Sequence, residues 1–420
     1  MAVKQMQYVI IGASVAGMAA AEAIRKLDSE GSITVLSDEQ DMPYFRPMIP
    51  FMISGKKKFS EMMLIGQGPY QGANIDVRLN SRVEAVNTTD QTVSVKSGEE
   101  LPYDKLLIAT GSRPNIPSDI DGVEAEGVFV LRTIADARAM AHRAETAKHA
   151  VMLGGGLLNL KAAFALLEQG LDVTLIVKSP EVLSRLMEPD DTALIRNALN
   201  KAGIKLMIGS SVTRVLSDST GVIGVLLDNG REIPCQMVCI GKGIRANVEF
   251  LDKSGILLDQ GVVVDKFTCS NIQNVFAAGD VAVTFDPITG QRIVTGLWTN
   301  AAEMGSCAGR NMAGRPSAYS GTFGILNATQ VADEPFVSMG IVHTKGADYE
   351  THIAATPNIY RKLVFTPDGT RLVGALFIGD ISKAGLYRYI IRERMSVKDI
   401  KSDIVNHRLH YGHFLTHFHG

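Results

Sequence analysis

Two glycine turns and one glycine–acid turn hold the residues whose types and spacing could do chemistry. In the first, the apolar run Tyr8 to Ile11 ends at Gly12, and Ser14, Val15, Ala16 and Gly17 open a stretch of small and straight-chained residues. Gly12 permits a sharp turn, and the N–H groups exposed at a helix start, helped by its dipole, hold a pyrophosphate. A second apolar run, Ile33 to Leu36, is followed by Asp38 and Glu39. These stand about 20 residues after the turn, where a carboxylate can accept both hydroxyls of an adenosine ribose. Ser14 takes the place of the second glycine of G-x-G-x-x-G; serine is small and can itself donate to phosphate. The competing reading is a glycine-containing α/β turn with no ligand.

The pattern recurs about 140 residues later, as internal repeats do. Strand Ala150 to Leu153, glycines Gly154 to Gly156, helix Leu157 to Gln169 capped by Gly170, and strand Val173 to Val177 repeat the grip, and two such units imply two nucleotides. Gly154, Gly156, Leu157 and Leu158 are the binding candidates, with Gly241 on the chain's return from this region. Asn159 replaces the third glycine, and no acid follows Val177. An NAD ribose would lack its bidentate acceptor here, whereas Lys178 could pair with a 2′-phosphate, so NAD and NADP both stay open. The bland reading is a decayed repeat kept as a scaffold.

Two further places invite contact with a ligand's reactive ring. Residues 41–58, DMPYFRPMIPFMISGKKK, form a proline-broken loop that reads as neither regular helix nor strand, and Arg46 with Pro47 is its candidate contact, against a rigid surface turn. Lys56 to Lys58 read as a solvated charge run, with docking of an acidic electron carrier as the sharper option. Gly279 and Asp280 present an acid at a strand end, suited to polyhydroxyl groups such as a ribityl chain. A helix from about Asn300 would turn its positive end toward a flavin's pyrimidine ring, and Trp298 just ahead either touches that ring or is an ordinary core tryptophan.

The elements that must position these residues are α/β in kind. Strand-like alternation fills 75–108 and 204–240, and an Ala-rich helical stretch from Thr133 marks a crossing between domains. After about residue 320 come strands FGILNATQ and PFVSMGIV, a hairpin about Asp368 and Gly369, and a helix ISKAGLYRYIIRERM, read as a separate α/β domain.

Composition narrows the classes. The 42 basic and 44 acidic residues nearly cancel, so charge implies no polyanion partner and no nucleic acid, and no apolar run reaches the ~18 residues of a membrane span. With no separable signal peptide legible, a cytoplasmic location is expected. Cys235, Cys239, Cys269 and Cys307 are too few and too scattered for a disulfide framework and read as buried thiols. His407, His410, His413 and His417 would share one face if the tail were helical, with His419 beyond; a partner or domain contact is expected there, and no metal site.

Taken in order, GASVAG, SDEQDMPYFRP, LLIATGSRP, GGGLLN, AAGDVA and LWTNAAEMG make the chain resemble the two-dinucleotide flavoproteins of the pyridine nucleotide-disulfide oxidoreductase family over essentially residues 1–320. The resemblance implies two Rossmann-like dinucleotide-binding domains, an FAD domain (1–116 and 243–320) with an inserted NAD(P) domain (117–242), plus a C-terminal α+β interface domain (321–420). It implies adenosine and pyrophosphate roles for Gly12, Ser14, Gly17 and Asp38 or Glu39, and flavin-loop roles for Arg46 and Pro47. It also implies FAD contacts from Val83, Ala109, Thr110, Gly111 and Arg113, and a ribityl clamp at Gly279 and Asp280. Residues 41–60 contain no cysteine, so the redox pair of the disulfide reductases is missing and the chain is similar to the ferredoxin, rubredoxin and nitrite reductase branch. Lys161 stands where a glutamate often follows the second turn.

Within that branch, YRKLVFTPDGTRLVGALFIGDIS is similar to the NAD-linked flavoprotein subunits of phenylglyoxylate dehydrogenases, multi-subunit 2-oxoacid oxidoreductases. The resemblance implies hydride exchange between nicotinamide and flavin, then single-electron exchange with an iron–sulfur protein or subunit, in a hetero-oligomer or homodimer. No catalytic side chain is assigned, because the cofactors carry the chemistry. A stand-alone NAD(P)H oxidase or a ferredoxin or rubredoxin reductase is the alternative enzyme. Asn159, Lys161 and the missing acid also allow an FAD-bearing interaction subunit without nicotinamide turnover.

Overall fold

The computed structural model describes residues 5–64, 74–286, 288–321 and 324–417. The chain divides into two compact units: Met1–Met52, Lys57–Arg113 and Ile244–Phe323 form one, and Ile53–Lys56, Pro114–Gly243 and Gly324–Gly420 the other.

At the centre of the first unit lies a five-stranded parallel sheet in the order Val275–Ala277, Lys105–Ile108, Gln7–Ile11, Ser32–Leu36, Ile75–Arg78. Its middle strands are continuous apolar runs because they are buried on both faces, in one core with the helices Val15–Arg25 and Trp298–Met312 and with Val83, Val86, Val93 and Val95. Val9, Ile10, Leu106 and Leu107 are buried accordingly, each contributing about 1.5–3 kcal/mol. The helix Val15–Arg25 crosses the helix Trp298–Met312 at very short range. A Cβ at Gly305 would run into the Ala16 carbonyl and one at Gly309 into that of Ala20. The small residues of both helices are thus a packing device that fixes where the second helix begins. A three-stranded antiparallel sheet, Val83–Asn87, Thr92–Val95 and Glu100–Pro102, completes the unit's main β-structure.

The second unit repeats this plan. Its parallel sheet runs Lys205–Ile208, Asp172–Val177, His149–Leu153, Met237–Ile240, Val128–Phe129, beside an antiparallel sheet of Val212–Asp218, Gly221–Leu227 and Glu232–Pro234. The expected class is therefore what the chain adopts: α/β with two Rossmann-like halves and an α+β C-terminal part. That last part has an antiparallel sheet ordered Leu326–Val331, Glu334–Gly340, Leu372–Ile378, Tyr360–Phe365, Glu350–Ala355, packed by the helix Ala384–Arg392. The edge strand Glu350–Ala355 is not legible in the sequence, since its residues are half-buried or exposed with no apolar alternation.

The last hundred residues share a compact unit with 114–243, joined by a buried polar cluster. Lys362, 2% exposed, reaches Glu188 and also Asp191 at 3.2 Å. Tyr360 donates to Asp191, and the Thr344 and Lys345 amides donate to Glu188 at 2.7 and 2.8 Å. A buried charge without partners costs several kcal/mol, so the members of this cluster depend on one another.

One expectation needs correction. Residues 41–58 are not free of helix: Arg46–Met48 forms a 3-10 turn continuing into the helix Ile49–Ile53. Pro47 and Pro50 sit in first turns, where a proline removes no needed N–H. The tail does not form one helix that would bring its histidines onto a single face. Lys401–Val405 ends before His407, which has φ +57°, and a 3-10 segment follows at Tyr411–His417. His407 lies against Tyr387 and Asp380, whereas the His410 and His413 rings meet with centroids 4.0 Å apart and His413 faces Asp403 at 3.1 Å. The His417 side chain and His419 lie outside the described residues.

Candidate functional site: two dinucleotide grips

Gly12 has φ +114°, and a Cβ there would collide with the Ala109 carbonyl, so this turn accepts glycine alone. A Cβ at Gly17 would strike the Gly12 carbonyl. Between them Ser14 is the N-cap of the helix Val15–Arg25, yet its hydroxyl makes no capping bond and no acid stands in the first turn. The helix Leu157–Glu168, capped by Gly156, and the helix Trp298–Met312, capped by Leu297, begin in the same way. The helix Ile134–Ala144, which follows no such turn, has a full capping box from Thr133 and Asp136. The helices Ala193–Lys201 and Ala384–Arg392 also lack a side-chain cap, so what sets the two glycine turns apart is an uncapped helix start joined to a close glycine turn, where N–H donors can meet an anion.

Around the first turn the candidates separate by environment. Asp38 is exposed, whereas Glu39 is half-buried, accepting from the Tyr44 hydroxyl at 2.7 Å and from Arg46. Arg46 also donates to Tyr44 at 3.0 Å and to Ser14 Oγ at 3.2 Å. Burial works against its charge, but Tyr44, Glu39 and Asp280 outweigh that and hold its proton more firmly than usual. Pro47, the second residue of the 3-10 turn, fixes the backbone that delivers this guanidinium. Arg46 therefore ties the glycine turn to the acid after the second strand, and Tyr44, which the sequence reading missed, shares its donors and acceptors. The spacing Pro43, Tyr44, Arg46 was the available signal.

Asp280 follows Gly279, whose φ is +82°, and accepts from Ser112 Oγ at 3.0 Å. Ala16 packs beneath Gly279. Thr110 exchanges hydrogen bonds with Asn247 at 2.8 and 3.0 Å, and Gly111 accepts from the Asn247 amide at 3.0 Å. Arg113, half-buried, is engaged by Glu249 and Asn247. Val83 is buried and pairs with Val95. Trp298 is the first residue of its helix rather than ahead of it, and its ring meets Phe45 edge-on at 4.8 Å, so it is neither a core residue nor isolated.

In the second unit Gly154, φ +101°, abuts the Gly241 carbonyl as Gly12 abuts that of Ala109. Asn159, 8% exposed, donates its amide to the Gly154 carbonyl at 2.6 Å. The residue in the third glycine's place thus bonds the Gly154 carbonyl, the counterpart of the Gly12 carbonyl that a Cβ at Gly17 would strike. Leu157 is half-buried, Leu158 exposed at the helix start, and Lys178 exposed beyond Val177. Lys161 is half-buried, and burial pushes its ammonium below the ordinary lysine value. All four cysteines are free, and burial pushes Cys235 and Cys239 up to about 12. Among the described residues no group of acids, histidines and cysteines gathers to hold a metal, and no helix is long and apolar enough to cross a membrane.

The glycine cradles, uncapped helix starts and placed acids suit dinucleotides, and comparison with known proteins agrees. NADH-dependent phenylglyoxylate dehydrogenase subunit epsilon of Aromatoleum evansii is 29% identical over 98% of this chain and 97% of its own. Rubredoxin-NAD(+) reductase of Ectopseudomonas oleovorans is 29% identical over 69% of this chain and 75% of its own. Among solved structures, a NAD-dependent persulfide reductase from A. fulgidus superposes with a TM-score of 0.88 at 26% identity, covering 94% of this chain and 78% of that one. The family model of pyridine nucleotide-disulphide oxidoreductases matches residues 6–305, so the chain belongs to that family and is an oxidoreductase whose cofactors are FAD and NAD(H).

Proposed function

We propose that this chain is the flavoprotein of an electron-transfer system that exchanges hydride with a nicotinamide and single electrons with an iron–sulfur partner. The observation that carries this reading is the pair of glycine turns opening onto uncapped helices in one chain that has no cysteine in residues 41–60. Without a thiol pair beside the first site, electrons have no disulfide to pass through. In this reading residues 1–116 and 243–320 hold FAD, 117–242 the nicotinamide dinucleotide, and 321–420 form an interface domain.

When bound, the two cofactors supply the hydride and single-electron chemistry; the protein supplies placement and electrostatics. The helix starting at Val15 donates to the first pyrophosphate, Asp38 or Glu39 accepts from the ribose, and Asp280 accepts from the ribityl hydroxyls. Arg46, locked by Ser14, Tyr44 and Glu39, sets the position of the loop that carries it. Leu157, Leu158 and the amides after Gly156 receive the second pyrophosphate.

The full-length similarity to the phenylglyoxylate dehydrogenase subunit favours a place in a multi-subunit 2-oxoacid dehydrogenase, and the rubredoxin reductase favours the iron–sulfur partner. The test is affinity purification of the tagged chain from its native cells. Iron–sulfur and 2-oxoacid-oxidising subunits in one complex support the reading. A lone oligomer that passes electrons from NADH to oxygen at full rate contradicts it and favours an oxidase.

A further inference from the structure

The second glycine turn is held from outside its own strand and helix. The Leu183 N–H donates to the Gly155 carbonyl at 2.9 Å, and a Cβ on Gly155 would stand 3.0 Å from Val182 Cα, so these two residues lie directly on the turn. Both are buried. Leu183 has φ +52°, in the left-handed region that a leucine enters only at a cost. A residue keeps such a conformation where its surroundings over-determine it.

Those surroundings come from the C-terminal part of the same unit. The Leu186 and Met187 amides return to the Leu183 carbonyl at 2.7 and 3.1 Å, so little slack separates Leu183 from Glu188. Ser338 Oγ donates to the Leu186 carbonyl at 3.4 Å. Glu188 accepts from the Thr344 and Lys345 amides, from Thr344 Oγ1 at 3.2 Å and from Lys362. Its own N–H donates to Asp191 Oδ2 at 2.9 Å, and Asp191 also receives Lys362. Ser338 and Lys362 both stand opposite Leu376, so one face of the antiparallel sheet carries the hold. On the other face Phe377 meets Tyr387 of the helix Ala384–Arg392 edge-on, with ring centroids 5.0 Å apart. A buried carboxylate engaged by this many donors has one place to sit, and moving it breaks several bonds together.

We infer, on the reading that the second unit holds a nicotinamide dinucleotide, that Glu188 is a positioning residue for that ligand. It acts through the segment 183–187: the C-terminal sheet fixes Glu188, Glu188 fixes Leu183 on Gly155, and the turn keeps its N–H donors aimed at the pyrophosphate. Coupling between two sites is reciprocal, so a ligand on the turn must also steady the Thr344 and Lys345 amides.

The experiment uses the full FAD-loaded chain. Glu188→Gln keeps the side-chain shape and leaves Lys362 its second carboxylate, Asp191. Calorimetry should show NADH bound roughly five- to a hundredfold more weakly, the ordinary range for coupled sites. FAD content should be unchanged, and flavin reduction at saturating NADH should stay within about twofold, a loss of binding without a loss of rate. Phe377→Leu, on the opposite face of the sheet, should lower the unfolding temperature yet bind NADH as the parent protein does. In the parent protein, hydrogen exchange read by mass spectrometry should slow at Thr344 and Lys345 when NADH binds; should Glu188→Gln not fold, this measurement decides alone. Parent-like NADH binding by Glu188→Gln, an equal loss in Phe377→Leu, or unchanged exchange at Thr344 and Lys345 overturns the inference and leaves the nicotinamide reading standing. A parent protein that binds no NADH overturns both.

Discussion

Asn159 and Gly241 occupy one space: a Cβ added to Gly241 would lie 2.6 Å from the Asn159 Cγ. In the first unit the corresponding pair is Gly17 and Ala109, with the side chain on the strand end and the glycine on the helix. At these positions the two halves place volume on opposite partners. Gly241→Ala should therefore destabilise by about 1–3 kcal/mol. Combining it with Asn159→Gly should restore part of that loss. Urea unfolding of both single variants and the double variant measures the coupling, and simple additivity would refute the shared-space account.

Removing Arg46 should weaken the first grip. Arg46→Ala leaves Glu39 and Tyr44 without their shared donor and frees the Ser14 hydroxyl. Retained FAD should fall, with affinity lower by roughly ten- to a hundred-fold. Arg46→Lys should recover little, because one ammonium cannot serve three acceptors in a plane. Flavin released on dilution, followed by fluorescence, reads the effect directly.

Much of this arrangement is legible in the sequence because it is local. A glycine turn, its helix and the acid after the next strand lie within about 30 residues; both units announce themselves, including the departures at Ser14 and Asn159. What Asn159 does is not legible, since its partners are Gly154 in its own turn and Gly241 on a distant strand. Residues 41–58 misled because two prolines read as breakers when they are first-turn residues. The Glu188–Lys362 pair joins positions 174 apart, and an isolated glutamate or lysine carries no mark of burial.

That pair sets a pH dependence. Burial pushes the Glu188 carboxyl up, but the Lys362 ammonium and the Lys345 and Thr344 amides outweigh it and hold it at about 2, against an ordinary 4.5. The unfolded chain therefore takes up this proton first as pH falls. The stabilisation is complete above the ordinary glutamate value and is lost as pH drops from there toward 2. Lys362→Met should destabilise at neutral pH by about 3–5 kcal/mol, because two carboxylates lose their buried counter-charge. It should also flatten the acid limb of the stability curve. Thermal unfolding across pH for both proteins checks this.

The cysteines should be spectators. Burial raises Cys235 and Cys239 to about 12 and Cys269 and Cys307 to about 11, so little thiolate exists at neutral pH. The native protein should react slowly with thiol reagents, and alkylation of any accessible thiol should leave flavin reduction within about twofold. Loss of hydride exchange on modifying one thiol, with the fold intact, would restore a thiol relay to consideration.

The central claim is that one chain passes hydride between nicotinamide and FAD. Anaerobic stopped-flow mixing of the FAD-loaded protein with NADH, and separately with NADPH, tests it most directly. The account predicts that the oxidised flavin absorbance bleaches in a saturable, single-turnover reaction with at least one of them. A protein that binds FAD stoichiometrically yet keeps its oxidised spectrum with both would contradict it.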